Sequence, residues 1–386
     1  MRILHIMNWF WEGVGYQENY LPFHQAGLGN DVRAVCSKDY PNYRKFIKSN
    51  NQDVNYHDRS LTIKRLESLL IRFVTEQNWY LGLKKEINSF NPDIVHLHHI
   101  WDLPTIQFLM TNYINKDKIK VFVDNHIDNG NFFYEKMYKR IYYFGFIKRI
   151  IIPLMMRKKT TFIAVNPYSR YCLNSYFGIP QDKIKLLLLG IDNDKMFFSQ
   201  EARKQIRDNY SIHEKDLVFV FSGVFEQSKL LADLIGAFKI IARKYSHVFL
   251  LMIGQGLLPE DEEFQTLRNQ GRVILPGWKR TDELYRWYSM ADVGVLPGKL
   301  GGIKDILAVG RPLIISDDLA VAYLLEYGNG LVFKRGSVEG LISVMEKYIT
   351  AEDLRNQHGQ QSLRLVDEKL SWRNIALKSL RIYKEM

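Results

Sequence analysis

With 386 residues, of which 46% are apolar, the chain is long enough for two globular domains with buried cores. Two cysteines, Cys36 and Cys172, are too few for a disulfide framework and are typical of a reducing cytosol. The longest apolar run of the basic middle region falls far short of the roughly 20 residues of a membrane-spanning helix. The first residues predict a buried strand instead of a secretory signal. We therefore expect a cytoplasmic protein.

The net charge of +11 is concentrated in the first half of the chain. Residues 1–185 carry 26 basic against 16 acidic side chains, whereas residues 186–386 carry 27 against 26. Within the first half, residues 136–159 contain eight basic residues and no acidic one, interleaved with tyrosine and phenylalanine. Such a segment attracts anionic surfaces. It fits a membrane surface, a nucleic acid or an ordinary helix pair with one apolar side, although no nucleic-acid-binding module is recognisable.

Short apolar runs alternate with helical patterns in two successive blocks. In chain order, strands are predicted at 2–7, 31–36, 93–97, 120–124 and 162–165, then at 217–222, 248–253, 273–275, 293–296 and 313–315. The segments between them have helical periodicity, and the tail from Trp372 predicts one amphipathic helix. This alternation predicts an α/β fold with two parallel-sheet, Rossmann-like domains. We predict an N-terminal domain of residues 1–187 plus 370–386 and a C-terminal domain of residues 188–369.

Glycines follow several of the predicted strands. In the first domain, Gly13 and Gly15 precede a helix, but the pattern is incomplete for a dinucleotide site and also fits a tight turn. In the second domain, glycines or polar residues follow the successive strands, namely Gly223 with Lys229, Gly254 and Gly256, Trp278, and Gly301 with Gly302. Open α/β sheets bind ligands at the carboxyl ends of their strands, and helix N-termini bind phosphates. The second domain is therefore expected to bind a diphosphate.

Taken in order, these motifs resemble those of the group 1, family 4 glycosyltransferases of the GT-B fold. The resemblance rests on residues 15–18, 92–98, Gly223 with Lys229, 253–256, 291–293, 305–312, 329–333 and the final helix. It implies two Rossmann-like domains facing each other across a cleft, with the C-terminal helix crossing back to the N-terminal domain. It also implies retaining transfer of a sugar from a nucleoside-diphosphate sugar, without a metal or another cofactor.

The resemblance further implies a role for individual residues. Lys229 would neutralise the donor diphosphate, Asp305 would hydrogen-bond the ribose, and His126 would reach the donor sugar. The remaining donor-site positions are expected to contribute mainly their backbones: Gly15, Gly223, Gly254, Gly256, Trp278, Lys279, Gly301, Gly302 and Ile303. Lys229, His126 and Asp305 also have purely structural interpretations, as a solvated helix-start lysine, a core histidine and a helix N-terminal charge.

The sequence departs from the family pattern at the expected donor site. Val224 stands where the family has an arginine, Pro297 where it has an acidic residue, and Asp305 is one methylene shorter than the usual glutamate. Two alternatives therefore stay open. The first is a non-catalytic homologue that binds the donor, and the second is a sugar-nucleotide 2-epimerase on the same fold.

Two other patterns suggest metal binding but are weak. His96, His98 and His99 are not accompanied by a further ligand at a recognisable spacing, and Asp192 with Asp194 lies in the expected linker, where a turn is favoured. We expect no metal.

The family resemblance also favours a membrane role for residues 136–159, because similar enzymes often use lipid-linked acceptors. We expect the donor to be a UDP-sugar and the acceptor to be a saccharide or lipid-linked glycan in capsule or O-antigen synthesis. The protein would lie on the inner face of the cell membrane, with no nucleic-acid partner.

Overall fold

The computed structural model describes residues 1–11, 16–39, 52–56, 60–72, 76–111, 118–127, 136–157, 160–258, 261–298 and 302–385. Their contacts divide the chain into two compact units. The N-terminal unit comprises Met1–Gly190 and Trp372–Met386, and the C-terminal unit comprises Ile191–Ser371. The division lies a few residues from the boundaries predicted at 187/188 and 369/370.

Within the described ranges, ten strands belong to the N-terminal unit and six to the C-terminal unit. The first ten are β1 (Arg2–Ile6), β2 (Asp31–Ser37), β3 (Val54–Tyr56), β4 (Leu61–Leu66), β5 (Ser68–Arg72), β6 (Glu76–Tyr80), β7 (Ile94–Leu97), β8 (Lys120–Asn125), β9 (Thr161–Ala164) and β10 (Ile184–Leu186). The others are β11 (Leu217–Ser222), β12 (Val248–Ile253), β13 (Val273–Gly277), β14 (Val293–Leu296), β15 (Leu313–Ser316) and β16 (Gly330–Phe333).

The α-helices fall between these strands and at the end of the chain. They are α1 (Gln17–Gly27), α2 (Leu83–Phe90), α3 (Leu103–Met110), α4 (Met137–Arg140), α5 (Ile152–Arg157), α6 (Pro167–Ser175), α7 (Gln200–Asn209), α8 (Leu231–Lys244), α9 (Glu262–Asn269), α10 (Leu284–Met290), α11 (Val338–Thr350), α12 (Glu352–Leu365) and α13 (Trp372–Lys384). π-Helices span Ile141–Ile151 and Val366–Leu370, and 3-10 helices span Gln181–Lys183, Gln227–Lys229, Gly302–Val309 and Ala322–Leu325.

Eight strands of the N-terminal unit form one sheet, in the order β10-β9-β8-β7-β1-β2-β4-β3. Its pairs are parallel except β3 with β4, and β5 with β6 forms a separate antiparallel ribbon. The strand order reverses between β1 and β7, because the chain runs from β1 to one side of the sheet and later returns to the other side. Ligands bind outside the carboxyl ends of strands at such a point.

The C-terminal helix α13 belongs to the N-terminal unit and packs on α1. The Trp372 ring stacks on Tyr20 with 5.4 Å between centroids. Gly190 passes so close to this ring that a β-carbon there would lie 2.4 Å from it. This close approach explains why the chain has glycine at position 190, and it confirms the predicted return of the tail to the first domain.

The C-terminal unit contains one fully parallel sheet in the order β13-β12-β11-β14-β15-β16. β11, β12 and β14 are rich in buried valine, leucine and phenylalanine, as expected for strands covered on both faces. The order reverses between β11 and β14, so this unit has its own ligand-binding edge. Two parallel α/β units confirm the predicted fold class.

All ten predicted strands are present, whereas β3 to β6, β10 and β16 were not predicted. Most of the unpredicted strands are short or half-exposed, so they lack the continuous apolar signal of a buried strand. Among the described residues, we find no helix with the length and apolar content needed to cross a bilayer.

Candidate functional site

The carboxyl edge of the C-terminal sheet brings together two loops that are distant in sequence. Lys229 follows β11 at the start of α8, and the 3-10 helix Gly302–Val309 follows β14, the neighbouring strand across the reversal point. Tyr288 anchors the loop after β14, since its hydroxyl donates to the Gly302 carbonyl at 3.2 Å. A β-carbon on Gly302 would lie 3.8 Å from Ser222 Oγ, at the end of β11. Lys229 and Gly302 therefore flank the same reversal point.

The loops after β11, β12 and β13 run side by side at this edge. The Gly223 amide donates to the Ile253 carbonyl at 2.9 Å, and the Gly254 amide donates to the Gly277 carbonyl at 3.1 Å. A β-carbon on Gly254 would lie 1.9 Å from the Gly223 carbonyl oxygen, and its φ of +152° is also unfavourable for other residues. Glycine is required here because two backbones meet. The edge thus has closely packed backbone where a phosphate group could approach.

Lys229, a predicted donor-site residue with a long charged side chain, is almost fully buried, with 4% exposed. It ends the short 3-10 helix Gln227–Lys229, and Leu230 then enters α8 in the left-handed conformation, with φ of 52°. A lysine on a solvated helix face would be largely exposed. The burial therefore argues against the solvated interpretation of this residue.

Asp305 lies in the 3-10 helix after β14 and forms an ion pair with its neighbour Lys304, at 2.7 Å between Nζ and Oδ1. Burial raises the pKa of Tyr288 and of Tyr323, and the negative charge of Asp305 raises both further. The carboxylate is therefore close to both tyrosines. Lys304 was not predicted as a site residue, and it brings a second ammonium group to this edge.

The other predicted donor-site residues differ in their placement. Ile303 is fully buried, so that only its backbone could face a ligand, as the resemblance implies. Trp278 is 57% exposed after β13, and Lys279 Nζ lies 4.9 Å from the Trp287 ring centroid. Val224, at the family's arginine position, is exposed. Gly15 and Gly301 lie outside the described residues.

The carboxyl edge of the N-terminal sheet holds a cluster of histidines and carboxylates around Asp124, which is fully buried at the end of β8. Its Oδ2 lies 2.8 Å from His98 Nδ1 and 3.2 Å from His96 Nε2, and its Oδ1 lies 3.4 Å from His126 Nε2. Oδ1 also accepts the His99 amide at 2.9 Å. Burial alone would raise the pKa of Asp124, but the charges of His98 and His126 and hydrogen bonds from His126 and His96 hold it well below its usual value.

Hydrogen bonds from α13 fix the orientation of Gln25 and, through it, the tautomer of His5. Ser379 Oγ donates to the Ala376 carbonyl and therefore accepts from Gln25 Nε2, at 2.8 Å. Gln25 Oε1 consequently accepts from His5 Nε2, at 2.7 Å. Burial, aided by His96 and His98, keeps the pKa of His5 well below 6.5, so that His5 is neutral.

The neutral His5 determines which atom of His98 donates to it. With its proton on Nε2, His5 uses Nδ1 as an acceptor and receives a hydrogen bond from His98 Nε2, at 3.0 Å. The other nitrogen of His98 faces the carboxylate of Asp124.

Glu18 and His99 form a second pair in front of this buried cluster. His99 Nε2 lies 3.6 Å from Glu18 Oε1, and the His99 ring packs against His126 with 4.6 Å between centroids. Burial opposes both charges. Even so, the hydrogen bond from His99 and the charges of His126 and His98 lower the pKa of Glu18 to about 2. Glu18, Asp102 and Asp124 raise the pKa of His99 to about 9. The pair is ionised at neutral pH.

Within the described part of the chain, the residues that could hold a metal ion all belong to this histidine and carboxylate cluster. Three overlapping groups have ligand atoms within 4.8 Å of one another: Glu18, His98 and His126; His96, His98 and Asp124; His99, Asp124 and His126. Each group mixes nitrogen and carboxylate ligands, as zinc sites do.

His126 was predicted from the family pattern, whereas Glu18, His99 and Asp124 were not predicted as site residues. Their signal in the sequence is the histidine-rich end of the third predicted strand together with the Asp-x-His at the end of the fourth. These strands, β7 and β8, are neighbours in the sheet. Reading adjacent strand ends together would have found the cluster.

Solved structures share this two-unit architecture. The structure of Anabaena Alr3699/HepE in complex with UDP aligns over 100% of both chains, with a TM-score of 0.72 and 12% identity. That of WaaG, a glycosyltransferase involved in lipopolysaccharide biosynthesis, covers 100% of both chains with a TM-score of 0.64 and 13% identity. The fold is therefore GT-B, the class of two Rossmann-like units.

Sequence comparison identifies the family. The profile of the "Glycosyl transferases group 1" matches residues 202–364, and that of "Glycosyltransferase Family 4" matches residues 23–195. The chain belongs to the group 1, family 4 glycosyltransferases.

Individual relatives are distant. An uncharacterized glycosyltransferase of Methanocaldococcus jannaschii is 24% identical over 54% of this chain, and the capsular polysaccharide biosynthesis glycosyltransferase CapM of Staphylococcus aureus is 22% identical over 58%. The matches span 56% and 62% of those relatives' own lengths. A GDP-mannose-dependent phosphatidylinositol monomannoside mannosyltransferase of Mycobacterium tuberculosis is 24% identical over 55% of this chain and 59% of its own.

Proposed function

We propose that the protein is a retaining, metal-independent glycosyltransferase that takes its sugar from a nucleoside-diphosphate sugar bound at the carboxyl edge of the C-terminal unit. The observation that carries this proposal is the position of Lys229. It is a nearly buried lysine that flanks the β11/β14 reversal point opposite the glycine-led helix Gly302–Val309. A cation beside a helix that begins at an exposed glycine, both at one sheet edge, suits a diphosphate.

Breaking a glycosyl–phosphate bond leaves negative charge on the departing nucleotide. A positive group held in place before the reaction stabilises that charge as it develops. In this proposal Lys229 supplies the charge, with the backbone near Gly302 donating hydrogen bonds. Asp305, positioned by Lys304, would accept hydrogen bonds from the ribose.

We further propose that the nucleotide of the donor is UDP. The Anabaena neighbour was crystallised with UDP and UDP-glucose, which supports this choice, whereas the mycobacterial relative is named for GDP-mannose. Trp278 follows Gly277, whose carbonyl accepts a hydrogen bond from the Gly254 amide, so the backbone of this exposed residue lies beside a glycine loop and would frame the base.

The test is a thermal-shift screen of the protein with UDP, GDP, ADP and CMP, each with and without EDTA. A ligand that binds only the folded state raises the melting temperature by mass action. We expect a shift with UDP that EDTA leaves unchanged. A shift that EDTA abolishes would refute metal independence, and a larger shift with GDP would change the donor. No shift with any nucleotide would refute the donor site.

A second candidate, a homologue that binds the donor without turnover, is favoured by one observation. Val224 presents an exposed apolar side chain where the family has an arginine. Such a protein would show the nucleotide shift but no release of UDP from UDP-sugars with any acceptor.

We propose that the acceptor is a saccharide or lipid-linked glycan of cell-surface polysaccharide synthesis, and that the N-terminal unit binds it at the cytoplasmic face of the membrane. The name of the CapM relative supports the pathway. The helical segment Met137–Arg157 supports the location, because it exposes apolar side chains beside basic ones.

A further inference from the structure

Glu18 and His99 differ from the buried cluster behind them because they reach the surface. Their side chains are 18% and 27% exposed, whereas those of His96, His98 and Asp124 are inaccessible. Glu18 lies in the first turn of α1 and His99 follows β7, so the pair sits at the β1/β7 reversal point. This is where an α/β sheet of this topology binds a ligand.

The backbone holds His99 in an unfavourable conformation at this point. Its φ of 67° lies in the left-handed region, which side chains with a β-carbon seldom adopt. Its amide donates to Asp124 Oδ1 at 2.9 Å, and its carbonyl accepts from Thr105 Oγ1 at 2.9 Å. Strain held by specific hydrogen bonds is typical of functional positions. Here it aims the imidazole at Glu18.

Further polar groups at this edge have no hydrogen bond within the described residues. They are Gln17 Oε1 and both side-chain amide atoms of Asn125, and both residues are almost completely buried. Gln17 precedes Glu18, and Asn125 lies between Asp124 and His126. Buried polar atoms usually have partners, so their presence indicates an additional hydrogen-bonding ligand. Amide, carboxylate and imidazole groups are the donors and acceptors that suit sugar hydroxyls.

The charge of the edge selects among ligands. Glu18 and Asp124 bring two carboxyl groups to this edge: Glu18 Oε1 lies 3.6 Å from His99 Nε2, and Asp124 Oδ2 lies 2.8 Å from His98 Nδ1. A carboxylate accepts a hydrogen bond from a hydroxyl but repels an anion. The edge therefore fits an uncharged polyol better than a phosphate.

We propose that Glu18, oriented by His99, accepts a hydrogen bond from a hydroxyl of a saccharide acceptor. This inference rests on the proposed function and names its acceptor site. His126 packs directly against His99, with 4.6 Å between ring centroids, so a hydroxyl bound to Glu18 would lie beside a second imidazole. Glu18 touches substrate, and His99 is a positioning residue.

The test measures binding of n-octyl glycosides by saturation-transfer NMR, below their micelle-forming concentration, with octanol as the control for the alkyl tail. Glucoside, galactoside and mannoside head groups are compared. Wild-type protein should show saturation of sugar-ring protons. In Glu18→Gln, which keeps the shape but removes the charge, the Kd should rise about tenfold or more, since a charged hydrogen bond is lost.

A matched control is Glu67→Gln, in the same unit. Glu67 is an exposed carboxylate paired with Lys38 at 3.2 Å, and its replacement should leave glycoside binding unchanged. Glu18→Asp keeps the charge but shortens the side chain by one methylene, so it should lose less affinity than Glu18→Gln. It also provides a second variant in case Glu18→Gln does not fold. His99→Gln should weaken glycoside binding without altering the UDP-induced thermal shift.

The outcomes separate this inference from the proposed function. Loss of glycoside binding in Glu18→Gln supports the acceptor site even if no nucleotide shifts the melting temperature. Equal binding by Glu18→Gln and wild type overturns it, even if sugar transfer is observed. Absence of glycoside binding by wild type also overturns it. The inference is also overturned if the purified protein contains a stoichiometric metal ion that is lost in Glu18→Gln, because Glu18 and the neighbouring histidines would then be metal ligands.

Discussion

Single side chains at the carboxyl edge of the C-terminal sheet carry most of the proposed chemistry. Lys229 and Lys304 each bring an ammonium group to this edge, but their surroundings differ. Lys304 is ion-paired with Asp305, whereas Lys229 is nearly buried at the start of α8. The proposal assigns the stabilisation of the leaving diphosphate to Lys229 and the positioning of the ribose-binding carboxylate to Lys304.

Replacing Lys229 with alanine should abolish sugar transfer while changing the melting temperature little. Removal of one preorganised group that stabilises the transition state costs about 3–4 kcal/mol, which corresponds to a rate loss of about 10² to 10³. The measurement is UDP release from the donor identified by the nucleotide screen. Lys215→Ala, an exposed lysine of the same unit, is the control. Retained activity in Lys229→Ala would remove this lysine from the mechanism.

The Glu18–His99 pair should make stability depend on pH. His99, with its pKa raised from 6.5 to about 9, stabilises the fold fully below pH 6.5 and loses this contribution as pH rises towards 9. Glu18, with its pKa lowered from 4.5 to about 2, contributes fully above pH 4.5 and loses this contribution as pH falls towards 2. The pair therefore stabilises most between pH 4.5 and 6.5. Urea unfolding across pH 6 to 9.5 should show a shallower decline in His99→Gln than in wild type. Parallel curves would contradict the shifted pKa.

For single residues, the sequence predicts which positions belong to a site better than it predicts which residues they contact. Glycines that follow the strands predicted where the ligand-binding edge of the C-terminal sheet lies. They are visible in the sequence because a position where two backbones meet requires glycine. The partners of Asp124 could not be predicted. They depend on the register of β1, β7 and β8 and on Gln25, which α13 fixes from the far end of the chain.

Among the elements, the helical segment Met137–Arg157 has two distinct sides. Ile147, Ile151, Ile152 and Met155 are buried in the core of the N-terminal unit. Met137, Ile141, Ile150 and Leu154 are exposed, together with basic residues such as Arg140, Arg149 and Arg157. The interpretation of residues 136–159 as helices with an apolar side that faces the core therefore accounts for the buried residues. It leaves the exposed apolar side chains unexplained.

Neutralising Lys148, Arg149 and Arg157 with glutamine should release the protein from anionic liposomes. Each basic residue near an anionic surface contributes about 1 kcal/mol, so the loss of three should reduce partitioning by about two orders of magnitude. Liposome flotation with and without phosphatidylserine measures this. The equivalent change at Lys204, Lys215 and Arg268, which are exposed on the C-terminal unit, is the control. Equal partitioning of both triple variants would defeat the membrane proposal. Lys158 and Lys159, the rest of the predicted segment, lie outside the described residues.

The limits of a strand could be predicted from the sequence where all of its residues are buried. β11, β12 and β14 end where the apolar runs end, because a strand covered on both faces has no polar alternation to blur its limits. The ribbon of β5 and β6 escaped prediction because β5 is exposed or half-exposed throughout and β6 begins with three polar residues, so neither strand has the continuous apolar run of a buried strand.

For the whole molecule, α13 is the element that completes the N-terminal unit. Replacing Trp372 with alanine should destabilise that unit by about 3–5 kcal/mol, since a buried aromatic ring between Tyr20 and Gly190 would be lost. Calorimetry should show a lowered transition for the N-terminal unit, with the UDP-dependent stabilisation of the C-terminal unit intact. Arg373→Ala, at the exposed neighbouring position, should have little effect. A lowered transition that responds to UDP would contradict the assignment of Trp372 to the N-terminal unit.

The return of α13 to the N-terminal unit also sets an order of events on the ribosome. Domains made during synthesis generally fold from the N-terminus onward. Here all the residues of the second unit, Ile191–Ser371, are synthesised before Trp372 is added to the chain. The unit whose chain emerges first is therefore the last to acquire its full core. Until then, the surface of α1 that Trp372 later covers is open to chaperones and to other nascent chains.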